Sequence, residues 1–154
     1  MSTPLIEQIA AAIATDIDAI TVANSFNQDL TAVRPKRNDF DTAAWDDLTV
    51  LISQVEAEKL SGGNLTVMWR QYFMISAIVI DSDSAATSID TRLNYVASDI
   101  AKKLLTDITR GGLAIDTNVH AAVPFDDEGS GLSGVAVQIS VDYRTKEDDP
   151  YTKM

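Results

Sequence analysis

Gly129-Ser130-Gly131-Leu132-Ser133-Gly134 spells the G-x-G-x-x-G pattern of dinucleotide-binding loops, whose glycines let the backbone close on a pyrophosphate. That chemistry needs a helix to follow, so that its free N–H groups face the phosphates. Here an alternating strand pattern follows and Asp126-Asp127-Glu128 precedes, placing like charge at the site. A hairpin loop is the better reading. His120 is the single histidine, so any imidazole chemistry must use it; with no cysteine and no serine in a nucleophile-elbow setting, it has no nucleophile to activate. It reads as a surface residue at a sheet edge. The acid pairs Asp39/Asp41, Asp46/Asp47, Asp81/Asp83 and Asp126/Asp127 offer oxygens suited to Mg²⁺ or Ca²⁺. Yet Asp81-Ser82-Asp83-Ser84 serves equally as a helix cap, and the register of an EF-hand fails at Ala85. No residue is therefore assigned a catalytic, cofactor-binding or metal-binding role. The competing chemical reading is a carboxylate-metal hydrolase, with Asp81, Asp83 and Asp126 as ligands and His120 as base.

Composition narrows the field further. A chain of 154 residues suits one domain, and 45% hydrophobic with 23% charged residues is the balance of a folding protein. The absence of cysteine removes disulfides, thiolate chemistry and Cys-based zinc sites. The start, Met1-Ser2-Thr3-Pro4-Leu5, lacks the basic and apolar blocks of a signal peptide, and Asn64-Leu65-Thr66 is then a glycosylation sequon in letters only. The apolar run Met74 to Ile80 is far short of the roughly 20 residues that span a bilayer, so no membrane association is expected. A net charge of −11 disfavours binding to phosphate backbones. Trp69, Tyr72 and Phe73 have only Arg70 beside them, which suits packing better than base stacking.

The elements follow from periodicity. Leu5, Ile6, Ile9, Ile13, Ile17 and Ile20 predict an amphipathic helix over 4–20, with Thr3 as cap and Pro4 in its first turn. An edge strand is expected near Leu30 to Arg34, before Pro35, and a buried strand from Leu48. Ser61-Gly62-Gly63-Asn64 predicts the turn of a long hairpin with arms Leu48 to Glu58 and Leu65 to Ile80. Ile89, Leu93, Val96, Ile100, Leu104 and Ile108 predict a second helix of about six turns, with Lys102, Lys103 and Arg110 toward its end and Gly111-Gly112 stopping it. A weaker strand is expected at Val119 to Phe125 and a half-buried one from Val135 to Tyr143. The expected fold is α+β: a mainly antiparallel sheet of about four to five strands, two helices on one face, and a long projecting hairpin. Residues 1–144 form the domain, and 145–154, charged and without periodicity, a C-terminal arm or disordered end.

This arrangement, with the closing strand running into Tyr143-Arg144-Thr145 and the ending Asp149-Pro150-Tyr151, resembles the small neck and tail-completion proteins of long-tailed bacteriophages, especially tail terminators. The resemblance implies a structural virion protein without enzymatic activity or cofactor. It would form a ring, usually of six subunits, at the head-proximal end of the tail tube, contacting the tube protein and the head connector or another neck protein. Within that class, another head-completion or minor tail protein is the alternative. DNA would only pass through the lumen, where carboxylates would repel it. The residues expected to touch other subunits are Gly62, Gly63 and Asn64 at the hairpin tip and Arg144, Asp148, Asp149, Pro150 and Tyr151 in the arm.

Overall fold

A computed structural model describes residues 2–35, 45–80, 88–127 and 132–154. The order is α1 (Leu5–Asp18), β1 (Thr31–Val33), β2 (Thr49–Gly63), β3 (Thr66–Ile80), α2 (Ile89–Thr106), β4 (Asp116–Asp127), β5 (Leu132–Lys146) and β6 (Asp149–Lys153). The chain is α+β, with two helices and a mostly antiparallel sheet among the described residues. The strands run β1-β2-β3-β5-β4, with β6 joined to β5 beyond the main path; only β1 and β2 pair in parallel. Among the described residues the sheet has six strands where four to five are expected, and the extra one comes from the C-terminal segment.

Alternation along β3 and β5 builds the core. Phe73, Ile75, Ala77 and Val79 on β3 and Val135, Val137, Ile139 and Val141 on β5 face the same way and meet Ile9, Ile13 and Ile17 of α1 and Val96, Ile100 and Leu104 of α2. Both helices therefore cover one face of the sheet, each buried aliphatic side chain contributing about 1.5–3 kcal/mol. The loop after α1 is pinned to α2 by Asp99, whose buried carboxylate accepts from the backbone N–H and side-chain amide of Asn27, both at 2.9 Å. Lys102 lies over the Phe26 ring. Among the described residues no helix is long and apolar enough to cross a membrane.

Several expectations need correction. Pro4 is the N-cap of α1 rather than part of its first turn, and no side chain caps the helix: the Pro4 carbonyl accepts from Glu7 and Gln8, and the Gln8 amide returns to the Thr3 carbonyl. α2 ends at Thr106, short of Ile108 and Gly111-Gly112, because the Asp107 carboxylate takes the N–H groups of Thr109 and Gly111 and the Thr109 hydroxyl, diverting the chain from the helix. These bonds hold the Asp107 carboxyl below its usual range, the Thr109 hydroxyl being the largest cause. The start of α2 is capped by Ser88, which accepts from Thr91 N–H, while the cap expected at Asp81-Ser82-Asp83-Ser84 lies outside the described residues.

Arg110 falls in the loop beyond α2, with φ at 51° and a side chain that is 0% exposed. Its guanidinium donates to Asp16 at 2.6 Å and to the carbonyls of Leu104 and Asp107. One side chain thus meets the C-terminal ends of both helices.

The hairpin also departs from expectation. β2 and β3 pair in register to Gly63↔Thr66, so Asn64 and Leu65 form a two-residue turn, both at positive φ. β5 runs beside β3 as far as Thr66↔Lys146, so the tip is no free two-stranded arm. Bulges interrupt β2 at Gln54/Glu56 and Lys59/Ser61 and β4 at Val119/Ala121, where His120 sits exposed on the edge strand as anticipated. The supposed arm is ordered too: β5 continues to Lys146, Thr145 is 2% exposed, and Asp149–Lys153 folds back as β6.

Candidate assembly surface

The two segments expected to touch other subunits, far apart in the chain, meet at one end of the sheet. Glu147 N–H donates to the Leu65 carbonyl at 2.8 Å, joining the β5–β6 turn to the β2–β3 turn. Gly62 and Gly63 end β2, Asn64 makes the turn, and Arg144 lies exposed on β5 beside them, its carbonyl accepting from Met154 N–H at 3.1 Å. Asp148 occupies the second turn, with Asp149, Pro150 and Tyr151 opening β6. Asp149 organises this strand: its carboxylate accepts from the Thr152 hydroxyl and Tyr151 N–H, which lower its pKa in that order of importance.

The residue that sequence reasoning passed over is Leu65. It is 74% exposed and holds a φ of 67°, a conformation that a bulky L-residue adopts at a cost and for which glycine is suited. A two-residue hairpin turn of the I′ kind needs positive φ at both central positions, and Asn64 was the sign that such a turn begins there. Fold stability alone does not account for a leucine here. Leu65→Gly is expected to stabilise the monomer by about 1 kcal/mol in urea denaturation by relieving the left-handed backbone. A destabilised variant would mean that the side chain serves the fold after all. The burial of Thr145 sharpens another prediction. Deleting 148–154 should leave the unfolding midpoint nearly unchanged, whereas deletion from Thr145 onward should lower it clearly, because Val67↔Thr145 and Thr66↔Lys146 are then lost.

A concavity lies on the sheet face away from the helices. It has a volume of about 440 Å³ and is bordered by Val55, Glu56, Glu58, Tyr72, Met74, His120 and Gln138. His120 Nε2 is 2.7 Å from Ser140 Oγ, and Tyr72 donates to Glu58 at 3.3 Å. Ser140 is 0% exposed, so its hydroxyl is closed to a substrate. Of the residues of the hydrolase reading, Asp126 and His120 are not brought together: Asp126 accepts from Ser133, and its place six residues along β4 from His120 corresponds to about 20 Å of strand. Asp47 is likewise occupied, by Ile80 N–H and Arg92. Asp39, Asp41, Asp81, Asp83, and Gly129, Ser130 and Gly131 of the glycine pattern lie outside the described residues. Leu132, Ser133 and Gly134 belong to β5. Among the described residues, no group of three or more His, Asp or Glu side chains is placed to hold a metal ion.

No protein-family model matches this sequence, and no curated protein matches it.

Proposed function

We propose that this chain is a structural virion protein, a tail terminator that assembles as a ring on the head-proximal end of a phage tail, stops tube growth and offers a surface to the head connector. The observation that carries the reading is the meeting of the β2–β3 and β5–β6 turns in one exposed end, with Leu65 at its tip and Tyr151 45% exposed on β6. An exposed leucine held at positive φ, among flexible charged side chains, is what an interface needs and a monomer does not. The ring of six, the contacts to tube protein and connector, and passage of DNA through the lumen come from the resemblance to terminators. Localisation in the virion follows from the same proposal.

Electron microscopy tests it. Purified protein added to tail tubes should give closed rings at one end of each tube, and assembly reactions containing it should yield tubes of uniform length. Tubes of unregulated length, with the protein remaining monomeric beside them, would end the terminator reading.

A further inference from the structure

We propose that β6 is an exchanged strand: Asp149–Lys153 of one copy seats on β5 of a second copy, in the slot that it fills within its own chain. This deepens the ring reading and rests on self-association alone, not on the tail as its target. Strand lengths make the slot. β4 pairs with β5 only as far as Asp116↔Asp142, while β3 stays paired to Lys146, so Tyr143 to Lys146 have one side that β4 leaves open. There β6 sits, through Thr145↔Lys153 and Lys146↔Asp149, with Met154 N–H donating to the Arg144 carbonyl at 3.1 Å.

The occupant is a second copy because the slot already accepts this very sequence, and accepts it poorly from its own chain. Only Glu147 and Asp148 separate Lys146 from its partner Asp149, yet the next step along β5, to Thr145, answers to four along β6, to Lys153. Pro150, Tyr151 and Thr152 are thereby left out of the ladder: Pro150 has no N–H, and the Asp149 carboxylate takes Tyr151 N–H at 3.0 Å and the Thr152 hydroxyl. None of the five residues is buried, and an open concavity of about 420 Å³ lies between Tyr151 and the Thr3 and Gln8 side of α1. A short turn that imposes a mismatch invites exchange, since a strand arriving from another chain carries no such turn and is free to pair residue for residue. The hinge is defined as well. Glu147 N–H is held by the Leu65 carbonyl at 2.8 Å, so the chain opens after it. Extended at about 3.4 Å per residue, Asp148 to Met154 reaches roughly 24 Å past the end of the sheet, far enough to meet a neighbour. Each copy that gives its strand keeps an open slot, and repetition closes a ring when the rotation permits.

Disulfide trapping tests the exchange, because the sequence has no cysteine of its own. Thr145 and Lys153 are ladder partners, and such partners lie within disulfide reach. Full-length chains carrying Thr145→Cys or Lys153→Cys alone, mixed at high concentration and then oxidised, should yield a bond between chains linking positions 145 and 153, identified by peptide mass. With both substitutions in one chain, oxidation at high dilution closes β6 onto its own β5. In sedimentation, that locked form should associate at least about tenfold more weakly than the same protein after reduction. Inserting Gly-Ser-Gly between Glu147 and Asp148, a change confined to the turn, should weaken association of the unaltered chain likewise, since a longer turn removes the mismatch. Circular dichroism verifies each fold. Three results would overturn the proposal: a chain that stays monomeric up to millimolar concentration, a mixture without the 145–153 link, or a locked form and a lengthened turn that associate unchanged. Linked chains that never cap tubes remove the terminator and keep the exchange; tubes capped by the locked form do the reverse.

Discussion

Arg110→Ala is expected to cost about 3–5 kcal/mol of folding stability, read as a lowered urea midpoint with an unchanged slope. Against the roughly 5–15 kcal/mol of a typical domain, this is a large share. The cause is geometric. Asp16 lies in the last turn of α1, where the helix dipole disfavours a carboxylate, and α2 ends at Thr106 with carbonyls that lack helical donors. The guanidinium answers both, reaching Asp16, Leu104 and Asp107 from a site closed to water. Burial pushes the Asp16 carboxyl up and the Arg110 guanidinium down, in each case more than their mutual attraction acts the other way. The pair is therefore a poor net source of stability, yet removing one member strands the other. Arg110→Lys should recover less than half of the loss, since an ammonium cannot reproduce the fork that spans three acceptors. Full recovery by lysine would show that charge alone matters at this position.

Gly134→Ala is expected to lower the melting temperature by roughly 6–12 °C, from a cost of about 3 kcal/mol. A Cβ at Gly134 would lie 2.3 Å from Cζ of Phe125 and 2.4 Å from the backbone carbonyl oxygen of Ala77. The ring can swing away, but the carbonyl belongs to the neighbouring strand β3, where Gly134 faces Ile78 in the ladder. Phe125→Ala in the same chain should thus rescue only part of the loss, and calorimetry on the single and double variants separates the two clashes. A single variant that melts like the parent would remove close packing as the reason for the glycine.

Gly134 also illustrates what the letters concealed. A strand after the G-x-G-x-x-G pattern argues against a phosphate loop, and its last glycine does sit in a strand; that the Ala77 carbonyl and the Phe125 ring leave no room for a Cβ there is not legible in the letters, because they meet Gly134 only through the β3–β5 and β4–β5 registers. Periodicity carried the helices and the long strands, whose buried faces repeat at fixed spacing. It failed where one side chain redirects the backbone, as Asp107 does at the end of α2. β6 was missed for another reason. Its five residues are exposed or half-buried and show no alternation, so only pairing with β5 defines them as a strand. For the candidate surface, the positions were legible as loops, while their meeting through Glu147 and Leu65 is a property of the three-dimensional ladder.

The bulges of β2 and β4 bear on solubility. Beyond Leu51 the outer side of β2 has no partner among the described strands, and β4 is open along its outer side as well. Long uncovered margins of this kind usually template fibrils, but here each is kinked by an unpaired residue, and Pro124 removes a donor from β4. Crowded copies of this chain are thereby steered from stacking backbone on backbone along these margins.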